Sequence, residues 1–255
     1  LLELSLRARN LVDGAAVVRL RSSLYVTLGD QAKAVDVALV YLRDFGIEWS
    51  PHPTEQELQA AIEALRGLLA DRPIEDLADL PRMTDPDWLA AMDVLAYTIL
   101  PAILTDGNLE DLIYTQMVSL SLQHGNCDAS CYAYVSIMVA LGLRFGDYDS
   151  GGRFGDVGLA LVDKHGMDRF KTRTYTCYAC FVVPWTKSLR ISEKFSRKAI
   201  QVGVAAGDLV FVVTTAQMLV SHLLVAGADL ALVEEEAERF LASAQRTGFS
   251  LAADS

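Results

Sequence analysis

The stretch Gly146-Asp147-Tyr148-Asp149-Ser150-Gly151-Gly152-Arg153-Phe154 sets four residues between Gly146 and Gly151, one step from the spacing of a phosphate loop. In such a loop backbone N–H groups converge on the phosphates, a Lys reaches them, and a Ser or Thr hydroxyl holds the Mg²⁺. Here the basic residue is Arg153, one place late, and Phe154 stands where the hydroxyl belongs. A phosphate loop also follows a strand, whereas Gly146 follows SIMVALGLRF, which reads as the end of a helix. Beyond it, Gly151, Gly155 and Gly158 recur at four- and three-residue intervals on one side of the next helix. That spacing predicts close approach of a neighbouring helix, at up to about 1 kcal/mol of helix propensity per glycine. The expectation is tight packing, with no nucleotide bound.

Other chemistry-bearing residues give no stronger pattern. Cys177-Tyr-Ala-Cys180 and Cys127 with Cys131 have spacings that occur in metal and redox sites, yet the first pair falls in helical text rather than on knuckles. Both pairs read as buried small hydrophobes. His124 and His165 stand in last helical turns before Gly, where a cation complements the dipole. His222 lies in an apolar helix and reads as a hydrogen-bonded core residue, and His52 sits between two prolines. Glu234, Glu235, Glu236 and Glu238 read as a solvated helix face, because paired catalytic carboxylates need burial. No catalytic, metal-binding or cofactor-binding residue is assigned.

Positioning falls to helices. Thr54 with Glu57 forms the sequence signature of a capping box, and Leu58, Ala61, Ile62, Leu65, Leu68 and Leu69 follow at helical spacing. Thr84 or Asp85 caps the next helix, with Pro86 in its first turn. Gly29 and Gly46 bracket another helix, and no stretch alternates strictly enough to predict a strand. Gly125, Gly166, Gly207 and Gly248 recur every 41 residues, with Gly146, Pro184 and Gly227 about midway. Glycine ends helices through the left-handed cap and proline cannot continue the ladder. The result is an all-α expectation: a right-handed superhelical array of antiparallel helix pairs, an α-solenoid. Its expected parts are N-terminal repeats over 1–48, an irregular Pro-rich segment over 49–106, and regular hairpins of about 41 residues over 107–248. Trp49, Trp88 and Trp185 fall near turns and read as anchors between repeats.

Composition narrows the function classes. Among 255 residues there are 22 Lys and Arg against 33 Asp and Glu, a formal charge of −11, which argues against general binding to nucleic acid or anionic membrane. The one basic stripe, Lys187, Arg190, Lys194, Arg197 and Lys198, reads as a solvated helix face. No signal peptide is visible and no apolar run reaches the ~18 residues of a spanning helix, so the expected location is the cytoplasm. The opening LLELSLRARN reads as mid-helix, as in an excised part of a longer polypeptide.

Two resemblances add to this reading. Tyr25, Gly29-Asp30 and Ala34 resemble tetratricopeptide markers, although Val18, Arg21 and Ser22 depart from that pattern. PHPTEQEL (51–58), LADLPRMTDPDWLAAMDVLA (77–96), GNCDASCYAY (125–134) and GDYDSGGRFGDVGLALVDK (146–164) resemble the helical-repeat region of large bacterial signalling proteins. In that family a Ser/Thr-kinase-like domain and a STAND-type AAA ATPase precede the repeats, and sensor modules and often a histidine kinase follow. The resemblance implies a non-catalytic interaction and coupling module whose partners are the ATPase or kinase of the parent, or another protein. The alternative is a repeat domain that senses a small molecule in its concave groove.

Overall fold

The computed structural model describes residues 9–247; Gly248 and most of the opening LLELSLRARN lie outside them. Twelve α-helices and no strand occur among the described residues; an isolated parallel bridge joins Arg82 and Asn126. The chain divides between Ala133 and Tyr134 into two compact units.

In the first unit each helix starts on a residue suited to the task. Asn10 accepts the Asp13 N–H at 2.8 Å and opens α1, Leu11–Thr27. Asp30 opens α2, Gln31–Leu42, which tightens into a 3₁₀ turn and stops at left-handed Gly46. Thr54 and Glu57 form the reciprocal capping box of α3, Glu55–Leu69. Of the two candidate caps before Pro86, Asp85 is used, accepting the N–H groups of Asp87 and Trp88 to open α4, Pro86–Ile103. Asp106 opens α5, Gly107–His124, and the division between the units falls within α6, Asp128–Met138. Short links make α1 and α2, and α4 and α5, packed neighbours, while α1 and α2 both rest on α4, and α3 rests on α5. The buried stripe of α3 is narrower than its periodicity predicts: Leu58, Ile62 and Leu65 are buried, but Leu68 faces solvent.

The second unit contains α7, Tyr148–His165; α8, Lys171–Cys177; α9, Val183–Thr186; α10, Arg190–Ala206; α11, Leu209–Val225; and α12, Leu230–Thr247. Helices α8, α10, α11 and α12 pack in succession, and α7 packs against α8. Pro184 does not end a helix here. A π-helical segment, Tyr178–Val182, carries the chain from α8 straight into α9, where Pro184 occupies the opening turn. The break comes at Lys187, which is extended. A second π segment, Val139–Arg144, closes the run begun by α6.

Candidate functional site

The Gly146–Phe154 stretch is the entrance to α7. Gly146 has φ +74° and Asp147 is the N-cap, its Oδ1 accepting the Ser150 N–H at 3.2 Å. A phosphate would therefore meet a carboxylate already on the first-turn amides, with Asp149 beside it. Arg153 points back to Asp149, 3.8 Å away. Tyr148 stacks on Trp185 of α9, ring centroids 5.3 Å apart, so this tryptophan sits on the Gly-Asp-Tyr turn while remaining 54% exposed.

The glycines of α7 lie under side chains. A Cβ on Gly151 would overlap Met138 Sδ, and one on Gly155 would come to 2.6 Å of Val182 Cγ2; Gly158 is buried on the same helix. Three close-packed glycines were not singled out by spacing: a Cβ on Gly142 would come to 2.6 Å of Met138 Sδ, one on Gly152 to 2.7 Å of Thr186 Cγ2, and one on Gly203 of α10 to 2.6 Å of Val212 Cγ2. Gly29, Gly166, Gly207 and Gly227 have positive φ at open helix ends. Gly125 differs from them. Its φ is +95°, and a Cβ there would run into the Pro81 carbonyl oxygen. Around it, the Asn126 N–H donates to that same carbonyl at 2.8 Å, Asn126 Nδ2 donates to the Leu77 carbonyl at 2.6 Å, and Met83 N–H donates to the Asn126 carbonyl at 2.8 Å. Asn126 is fully buried, so His-Gly-Asn-Cys is a clasp on the Pro-rich segment.

The most developed polar arrangement lies along α7. Asp156 and Asp163 stand seven residues apart, on one face two turns apart. The Tyr175 hydroxyl donates to Asp163 Oδ1 at 2.5 Å, and Lys198 Nζ lies 3.0 Å from that oxygen and 4.2 Å from the Tyr175 ring centre. The Tyr178 hydroxyl donates to Asp156 Oδ1 at 2.6 Å, with Lys187 Nζ 3.0 Å from Asp156 Oδ2. Phe195 fits between the two tyrosine rings. Burial would raise the Asp163 carboxyl, but the bonds from Tyr175 and Lys198 hold it below the usual carboxylate range. Burial and the adjacent carboxylates push both phenols up. These tyrosines are fixed hydrogen-bond donors, unsuited to act as bases or nucleophiles near neutral pH.

The basic stripe is largely consumed in the same way. Lys187 and Lys198 pair with α7, and Arg197 pairs with Glu193 at 2.9 Å and with Glu236 of α12 at 3.0 Å. No disulfide joins the four cysteines, and burial pushes Cys127, Cys131 and Cys180 up, which disfavours the reactive thiolate. Cys127 belongs to a local network in which its N–H donates to Ser130 Oγ at 3.0 Å and Ser130 meets Ser121 at 2.7 Å. His52 bonds Asp106 at 3.0 Å, and His124 stacks on Trp88 at 4.2 Å. His165 closes α7 beside Gly166. Among the described residues no cluster of three or more His, Cys, Asp or Glu side chains has the arrangement of a metal site.

His222 has a different setting. It is half-buried rather than a hydrogen-bonded core residue: it lines a cavity of about 190 Å³ with Leu189, Arg190, Glu193, Leu223, Ala226, Gly227 and Ala228, and its buried Nδ1 has no hydrogen-bond partner. Burial lowers its pKa below the usual histidine range.

A third feature is an uncovered apolar ridge. Val12, Ala16, Leu20 and Leu24 recur every four residues along α1, with Leu28 next in the row at its C-cap, and all five are exposed, Leu20 by 58% and Leu28 by 67%. The opposite face buries Ala15, Val18 and Ser22. No helix among the described residues is long and apolar enough to cross a membrane. The chain matches no family model, no curated protein and no solved structure.

Proposed function

We propose that this chain is a non-catalytic interaction and coupling module of a larger bacterial signal-transduction protein, built as a helical-repeat solenoid of the tetratricopeptide kind. In this reading it docks an ATPase or kinase domain of the parent, or a separate protein, and transmits that domain's state. The observation that carries the reading is the α1 ridge. An i±4 row of exposed aliphatic side chains along a whole helix is the form that fits the groove of another helix. The surrounding chemistry agrees: Tyr175, Tyr178, Lys187 and Lys198 are spent on intramolecular pairs, and the buried thiols are held protonated. The experiment is capture of purified ATPase and kinase domains of the parent by the chain, compared with Leu20→Glu and Leu24→Glu. Loss of capture by correctly folded variants supports the reading; capture that both variants retain removes the ridge from it.

A second reading, small-molecule sensing, is favoured by one observation. The cavity beside His222 combines aliphatic walls with two opposite charges and an imidazole nitrogen that has no partner. Both readings are compatible with one protein, since a ligand that prefers one conformation shifts the population presented to a partner.

A further inference from the structure

The cavity beside His222 lies at the join of three elements of the second unit. Leu189 and Arg190 open α10, Glu193 is three residues further on, His222 and Leu223 close α11, and Ala226 to Ala228 lead toward α12. Its volume of about 190 Å³ is below the ~300 Å³ at which pockets begin to take drug-sized ligands. An occupant must be small.

Its walls separate into three chemistries. Leu189, Leu223, Ala226 and Ala228 are aliphatic. Arg190 contributes a guanidinium that makes no ion pair among the described residues, at the first turn of α10, where the helix dipole also favours an anion. Glu193 contributes a carboxylate; only its Oε1 is taken, by Arg197 at 2.9 Å. Residues three apart on a helix are surface neighbours, their Cβ atoms ~5–6 Å apart. Opposite charges therefore stand side by side on one rim of an aliphatic cavity. His222 Nδ1 has no partner, so no hydrogen bond at that nitrogen fixes the ring, and a half-turn about χ2 exchanges the nitrogen with a carbon.

We infer that this cavity is a binding site for a small zwitterionic α-amino acid with an aliphatic side chain. Arg190 takes the carboxylate in a two-pronged contact, Glu193 takes the ammonium, and the side chain lies against Leu189, Leu223 and Ala226. A simple carboxylate would leave the second carboxylate oxygen of Glu193 without a donor, and a simple amine would leave Arg190 unanswered. The inference rests on the sensing reading and is independent of docking through α1.

The test is isothermal titration and thermal shift of the full chain with L-leucine, 4-methylpentanoate, isopentylamine and glycine, and with ATP and glucose 6-phosphate alongside. Leucine is expected to bind saturably and raise Tm, and removing either charge or the side chain weakens binding by roughly tenfold or more. Arg190→Gln and Glu193→Gln each weaken leucine binding by ~10-fold or more. Ala226→Leu fills the cavity and abolishes binding while leaving the helical circular dichroism and the unliganded Tm in place. Equal binding of 4-methylpentanoate, or unchanged binding by folded Arg190→Gln, overturns the inference. Saturable binding of a nucleotide or sugar phosphate, indifferent to Arg190 and without leucine binding, overturns it too while leaving sensing intact. Silence from every compound removes both.

Discussion

Gly125 and Pro81, far apart in sequence, share one space: the position a Cβ would take on Gly125 is held by the Pro81 carbonyl oxygen. That oxygen already accepts the Asn126 N–H, so it cannot retreat without breaking the clasp. Gly125→Ala therefore combines a backbone clash with the strain of φ +95°. The expected loss is about 2–4 kcal/mol. Gly29→Ala meets nothing within contact range at φ +75° and should cost only about 1–2 kcal/mol of backbone strain. Urea unfolding of both variants checks the difference; equal losses would mean that Gly125 is merely another helix end.

Asp163 should govern part of the acid limb of stability. Its carboxyl is held below the usual range in the folded state by Tyr175 and Lys198, against the raising effect of burial. The native state thus binds its proton less readily than the unfolded chain. The contribution is present above the unfolded carboxylate range and disappears as pH falls through the lower folded value. Asp163→Asn should lower stability by roughly 1 kcal/mol at pH 7, a modest figure for a partly exposed group. Thermal melts of both proteins from pH 7 to pH 2 should converge at the acid end.

His222 acts in a different window. Burial lowers its folded pKa, so the unfolded chain takes up the proton first. Its effect is absent above about pH 7.5, grows as pH falls through the unfolded value near 6.5, and levels off below the folded value. His222→Gln should flatten the pH 7 to pH 5 slope of Tm, and the imidazole signals should titrate below the ordinary range. A slope unchanged by the substitution would show that other groups set it.

Thiol accessibility supplies a third check on the core. Cys127 and Cys131 are buried with their pKa values pushed up. Iodoacetamide at pH 8 should modify them at the rate of unfolding, orders of magnitude more slowly than in urea. Rapid native labelling at Cys131 would contradict the packing of α6.

Much of the local architecture could be read from the chain because its signals are local. Thr54 and Glu57, Asp85 and Pro86, and Gly46 specify helix ends through bonds made within a few residues. The non-local features gave no such signal. Gly125 looked like a periodic turn marker, whereas its constraint comes from Pro81 on a distant loop. Pro184 looked like a breaker, but the preceding π segment delivers it to an opening helical turn. The Tyr175–Asp163–Lys198 and Tyr178–Asp156–Lys187 sets join three separate stretches of chain, and spacing within any one stretch does not reveal them. The cavity at His222 was likewise invisible, because its walls come from two helices and a loop. Gly248 lies outside the described residues.

The coupling account is tested most directly by biolayer interferometry of the full chain against the ATPase and kinase domains that the account assigns to a larger parent, with Leu20→Glu/Leu24→Glu as the paired variant. Both substitutions fall on exposed positions of α1 and should change stability by less than about 0.5 kcal/mol. The account predicts saturable binding of at least one domain, weakened at least ~10-fold by the double substitution at unchanged Tm. Absence of binding to either domain, or binding that the charged ridge leaves intact, would contradict it.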